Sequence, residues 1–348
     1  MTRIKSIFVN LLVLLVTLLI MLVLLEVALR VLNLAPGNSL PTVNQKEFES
    51  VPGIFKPNES LTDMRHVELP FQVDVNSFGY RGENFPLQKP ADETRILVVG
   101  DSYTFGDYVN NDETLPAQLE QQLAVLNPNR QIRVINAGLS GSTVVGQRQM
   151  IERALPLEPD LVLLVNFSND VEDMNNPMWY SLAQNRELKG RFPVSVLYAV
   201  FGKTATWNLL LKFKFLLSRE RITQTGEVDT AAEEARKAAL RSQLQDKYQD
   251  EMENLHGFIN EQEIKFVVAI FPSHHSMRDE TLRNPVTWAR EMLSAADIDN
   301  IDLLPTFLAS GNSVEDLHLL PIDGHPNPLG YEIAAKELAS ELSSRLGD

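Results

Sequence analysis

One serine and one histidine, far apart in the chain, carry the clearest chemical signal in this sequence. Ser102 stands in GDSYTFG, directly after the apolar run ILVVG at 96–100, with Gly100 before it and Gly106 after it. A hydroxyl at the carboxyl end of a buried strand is well placed to attack a carbonyl, but it is a weak nucleophile until a base takes its proton. His325, in PIDGHPNPLG, is the candidate base, and Asp323 two residues earlier is the candidate acid that orients it. Asp316 is a second candidate for that acid. Attack on a carbonyl also needs donors for the oxyanion that develops. Gly141 in NAGLSGS and Asn169 in NFSNDVED offer a closely approaching backbone N–H and a side-chain amide.

These residues have value only if the chain brings them together, so the elements between them matter. Short apolar runs recur at 96–100, 132–136, 161–167 and 266–271 and read as buried strands. Between the first two lies TLPAQLEQQLAVL, with Leu115, Leu119, Leu123 and Leu126 on one helical face, Thr114 as N-cap and Pro116 in the first turn. VVGQRQMIERALPL reads as the next helix, and Asn327 and Pro328 open a final one. Strands alternating with helices of this length imply an α/β fold with an open, doubly wound parallel sheet. Such sheets bind ligands beyond the carboxyl ends of their strands, where Ser102, Gly141 and Asn169 fall. Asp101 is expected to accept backbone N–H bonds in its turn, and Asp170 to order its loop.

Composition narrows the function classes. The 348 residues carry a net charge of −15, which argues against a nucleic-acid partner or a broad basic face. With no cysteine there is no disulfide, thiolate metal site or cysteine nucleophile. His274, His275 and His318 invite a metal reading, but the expectation is solvated loop histidines, since no acidic residue stands at ligand spacing and the chemistry requires no metal or other cofactor.

Taken together, the residues resemble the SGNH hydrolase superfamily, the GDSL-type esterases and acyltransferases, over roughly residues 95–345. The resemblance implies a flavodoxin-like sheet of about five parallel strands and a Ser102–His325–Asp323 triad. It also implies an oxyanion hole of the Ser102 N–H, the Gly141 N–H and the Asn169 side chain. Two positions depart from the usual pattern. Phe167 occupies the glycine position of the block usually written Gly-x-Asn-Asp. The last block is spaced Asp-Gly-His rather than Asp-x-x-His, as in relatives that acetylate exported polysaccharides. Three functions follow from these residues: an ester hydrolase, favoured; an O-acyltransferase on envelope or exported glycans; and a fold retained as a non-catalytic scaffold.

The remaining segments set the address. Ile7–Leu25 has only Asn10 and Thr17 as polar members, and nineteen residues suffice to cross a hydrocarbon core of about 30 Å. Arg3 and Lys5 precede it, so residues 1–34 read as a single-pass anchor, rather than a cleaved signal peptide, with the bulk of the chain outside the cytoplasm. The partners expected are the cytoplasmic membrane and an acylated small molecule or glycan. Residues 35–90, rich in Pro, Asn and Ser, read as a linker and irregular lead-in with a short strand at Phe71–Val75. Residues 91–348 form the catalytic domain. Within it, about 175–262 reads as a helical insertion whose apolar stretch, 194–217, is expected to pack over the active face rather than span the membrane a second time. Its charged run at 227–253 is expected to be a solvated helix face.

Overall fold

The computed structural model describes residues 2–32, 51–63, 68–167, 169–174, 196, 201–202, 204–207, 209–210 and 230–346. The chain divides into two units. One comprises Met1–Ser39, Met64–Glu68 and Gln184–Thr230; the other comprises Leu40–Asp63, Leu69–Ala183 and Ala231–Asp348.

In the first unit, helix α1 (Thr2–Val31) contains a stretch, Ser6–Val31, long and apolar enough to cross a membrane, with a mean hydropathy of 3.1. Most of its described apolar side chains are exposed, Leu29 being buried.

The second unit is built on five parallel strands: β3 (Glu93–Gly100), β4 (Gln131–Gly138), β5 (Leu161–Phe167), β6 (Lys265–Phe271) and β7 (Asn300–Asp302). Their order is β4-β3-β5-β6-β7, the flavodoxin-like order expected from the resemblance. Ile96–Val99 and Leu161–Val165 are almost wholly buried, which explains why these strands read as continuous apolar runs instead of alternating ones. Burial of each such side chain stabilises the fold by about 1.5–3 kcal/mol. The flanking helices are α3 (Leu115–Leu126), α4 (Val144–Ala154), α6 (Thr230–Glu261), α8 (Asn284–Ala295) and α11 (Pro328–Arg345). α3 starts as expected: the Thr114 side chain accepts from the Ala117 N–H at 3.4 Å. α11 starts on Asn327, whose Oδ1 accepts from the Gly330 N–H at 3.0 Å. The short helices α2 (Ser102–Phe105), α5 (Asp170–Asp173), α7 (His274–Arg278), α9 (Leu304–Ala309) and α10 (Val314–Leu317) lie in the connections.

Two segments do more than the sequence suggests. Residues 51–63 and 68–90 pack on the sheet domain. β1 (Ser60–Asp63) and β2 (Phe71–Asp74) pair antiparallel, and Ile54, Phe55, Phe71, Val73 and Val75 bury against Phe105, Leu139 and Met150. The charged helix α6 buries Tyr248, Met252, Leu255 and Ile259 in the core, so its later turns are the crossover from β5 to β6. Most of the inserted stretch between 175 and 229 lies outside the described residues, as does any cover it gives the sheet end. Where that stretch is described, at residues 201–210, it contacts α1.

Candidate active site

Ser102 is the first residue of α2, immediately past β3. Asp101 caps this turn by accepting from the Tyr103 N–H at 2.9 Å. Gly138 on β4 lets α2 settle onto the sheet, because a Cβ there would lie 2.1 Å from the Phe105 nitrogen. The loop after α2 is held by Arg81, a buried residue of the lead-in. Its guanidinium donates to the carbonyls of Phe105, Gly106, Gln72 and Val109 and to Asn111 Oδ1.

His325 comes from the last loop before α11. Its Nε2 lies 2.8 Å from Ser102 Oγ, and its Nδ1 lies 2.5 Å from Asp323 Oδ1, which also accepts from the His325 backbone N–H at 2.9 Å. The three residues thus form one hydrogen-bonded relay, about a quarter exposed at Asp323 and a fifth at His325. The imidazole sits between Tyr103 and Tyr108, with ring centroids 5.1 and 5.6 Å away. Asp316 takes no part. Its carboxylate caps α10, accepting from Ser313 N–H at 3.0 Å and Ser313 Oγ at 2.6 Å.

The other two sequence candidates lie on neighbouring strand ends. Gly141, at φ +72°, occupies the β4–α4 turn. That turn is tied to β3, since Leu139 N–H and Ser142 Oγ both donate to the Gly100 carbonyl, at 3.0 and 2.9 Å. Asn169 stands just before α5 without a side-chain capping bond, and its Nδ2 donates to Asp173 Oδ2 at 3.0 Å. An amide nitrogen carries two hydrogens, so one remains for another acceptor. Phe167, in the usual glycine position, stacks on Tyr103 with centroids 3.8 Å apart.

The site is electrostatically acidic. Burial pulls the His325 imidazole down, but its hydrogen bond to Asp323 and the charges of Asp107, Asp323 and Asp101 outweigh it, and the net shift is upward. Burial pushes Asp101 up to about 6, against its bond from Tyr103 N–H. Asp170 also rises well above the carboxylate range, through burial and then the Asp101 charge, while its Oδ2 accepts from the Phe167 N–H and Asn166 Nδ2 as a loop-ordering group.

His274 and Tyr103 are roles the sequence did not disclose. The Gly324 carbonyl, between Asp323 and His325, accepts from Tyr103 OH at 3.2 Å. The His274 ring fills the space beside Gly324, where a Cβ would fall 2.7 Å from its Cε1. His318 is not a solvated loop histidine: it is 2% exposed, with Nδ1 3.0 Å from the Val314 carbonyl, and burial lowers it to about 4. Among the described residues no group of three His, Asp or Glu side chains is arranged to hold a metal ion. The tight fit at Gly324 gives a sharp test. Gly324→Ala is expected to cut kcat/KM by about tenfold, a cost of ~1.4 kcal/mol, by displacing either the turn or the His274 ring. In Gly324→Ala/His274→Ala most of that loss should return; a double variant no better than the single one would remove the ring as the obstacle.

A parallel sheet in this order, with a hydroxyl, an imidazole and a carboxylate hydrogen-bonded in sequence at its carboxyl edge, is an arrangement suited to attack on an ester carbonyl. The chain belongs to the GDSL-like lipase/acylhydrolase family, whose profile matches residues 98–333, and is an ester-bond hydrolase. No curated protein matches the sequence. Among solved structures it is similar to an acetylxylan esterase from Geobacillus stearothermophilus, at 16% identity and a TM-score of 0.43 over 72% of this chain and 94% of that one. It is also similar to another acetyl xylan esterase, at 18% identity and a TM-score of 0.42 over 71% of this chain and 99% of that one. A third is an alpha/beta hydrolase enzyme from the metagenome of Lake Arreo, Spain, at 15% identity and a TM-score of 0.43 over 71% and 94%.

Proposed function

We propose that this chain is a membrane-anchored serine esterase that removes an O-acyl group, such as O-acetyl, from a small-molecule or glycan substrate outside the cytoplasm. The relay from Asp323 through His325 to Ser102, at 2.5 and 2.8 Å, is the observation that carries this reading. His325 Nε2 takes the Ser102 proton as Oγ attacks the ester carbonyl, and Asp323 stabilises the imidazolium that forms. The oxyanion is held by the N–H groups of Ser102 and Gly141 and by the second Nδ2 hydrogen of Asn169, the first being engaged by Asp173. Collapse of the tetrahedral intermediate breaks the ester bond, and His325 returns the proton to the departing alcohol oxygen. Water then attacks acyl-Ser102 by the same route, with His325 again as base, and releases the acid. The outward address rests on α1 and on Arg3 and Lys5 before its apolar run.

The reading is tested by incubating the full chain with a short-chain activated ester, quenching rapidly and mapping the added mass. The expected result is one acyl group on the peptide holding Ser102, absent in Ser102→Ala. An adduct on another residue, or turnover that survives Ser102→Ala undiminished, would overturn the acyl-serine route.

A further inference from the structure

Hydrolytic chemistry leaves unexplained a set of contacts in the N-terminal unit. Glu26 is the only acidic residue of α1. At 1.5 Å per residue, the apolar run from Ile7 to Leu25 spans about 28 Å, so Glu26 comes at the level where the helix would leave the hydrocarbon. Its carboxylate is fully engaged there: it accepts from Ala205 N–H at 2.9 Å, Thr206 N–H at 3.0 Å, Thr206 Oγ1 at 2.9 Å and Arg30 Nε at 2.7 Å. One turn further on, Leu29 buries against Ala205, with Leu209 beside them. A segment distant in sequence is thus fastened to the exit end of α1.

The described residues of that segment do not form one continuous helix. Thr204 interrupts it: its N–H bonds back to the Phe201 carbonyl at 2.9 Å, and its Oγ1 caps the residues that follow by accepting from Trp207 N–H at 3.1 Å. While Ala205 and Leu29 are covered, Val196, Phe201 and Leu210 are 53%, 45% and 60% exposed. Lysines at 203, 212 and 214 punctuate the same stretch, giving the apolar-and-cationic composition that settles at a headgroup boundary.

We propose that the segment bearing Val196, Phe201 and Leu210 is an interfacial membrane element, its partner the bilayer surface at the outer end of α1, with Glu26 as the clasp that holds it at that depth. The inference rests on α1 being a membrane anchor, and the test separates the two. Because the chain has no cysteine, single-cysteine variants can be labelled cleanly. Phe201→Cys, Leu210→Cys, Leu15→Cys in mid-α1 and Val125→Cys on the sheet domain would each carry an environment-sensitive fluorophore. The full chain would be reconstituted in phosphatidylcholine–phosphatidylglycerol vesicles doped with lipids bearing a doxyl quencher at shallow or deep acyl positions. Probes at 201 and 210 are expected to lose emission to the shallow quencher and keep it with the deep one; the probe at 15 should do the reverse, and that at 125 should respond to neither. If 201 and 210 behave like 125 while 15 is quenched, the interfacial element is overturned and the anchor stands. Deep quenching at 201 and 210 would replace it with a span. An unquenched probe at 15 would overturn the anchor and this inference with it.

Discussion

His325→Ala is expected to lower kcat/KM by about four to six orders of magnitude while leaving the fold in place. The size follows from the position of the imidazole in the relay. Ser102 Oγ has His325 Nε2 at 2.8 Å as its base, and that same nitrogen returns the proton to the leaving alcohol. Alanine removes both transfers, and a hydroxyl near pH 7 attacks an ester negligibly without them. The pH profile checks the assignment independently. The base must be neutral to accept a proton, so kcat/KM should fall as pH drops through the His325 pKa. That acid limb should lie above the 6.5 of an ordinary imidazole, since Asp323, Asp107 and Asp101 together outweigh the effect of burial. His325→Gln, which better preserves volume between Tyr103 and Tyr108, should be as inactive as His325→Ala. Near-normal rates in either variant with an unshifted profile would remove His325 from the mechanism.

How far the sequence discloses this molecule depends on whether a signal is local. β3, β4, β5 and β6 are legible because strands buried on both faces must be apolar throughout. β7 is not: it has three residues, only Ile301 among them is buried, and it pairs on one side with β6 alone. α6 misleads for a different reason. Its charges dominate the composition, yet Tyr248, Met252, Leu255 and Ile259 recur at spacings of four, three and four and form the buried stripe of a crossover helix. At the site, Ser102 and His325 stand out by residue type and by their place after a strand and before a helix. Spacing favours Asp323, two residues before His325, and leaves Asp316 as a fallback. Geometry separates them, since Asp316 is engaged in capping α10. The contacts of Tyr103 and His274 are not legible in sequence: both meet Gly324, which Tyr103 reaches across 221 positions of chain. Arg81 is likewise a product of tertiary structure, a buried charge whose guanidinium is met by the surrounding carbonyls and the Asn111 side chain.

Asp323→Asn is expected to reduce kcat by about 10⁴-fold, nearly as far as loss of the base itself. One carboxylate oxygen, Asp323 Oδ1, receives both the His325 backbone N–H at 2.9 Å and Nδ1 at 2.5 Å, so it fixes the turn and the imidazole tautomer together. If the asparagine presents its oxygen to these donors, the tautomer survives but the negative charge that stabilises the imidazolium is gone. If it presents its nitrogen, Nδ1 must become the acceptor, the proton moves to Nε2, and His325 no longer receives the Ser102 proton. Both outcomes also remove a charge that raises the imidazole pKa, so the acid limb of whatever activity remains should move to lower pH. Asp316→Asn supplies the contrast. It weakens a helix cap and should leave both the rate and the limb where they were. A limb unmoved in Asp323→Asn, or one that moves only in Asp316→Asn, would show that another acid holds the imidazole.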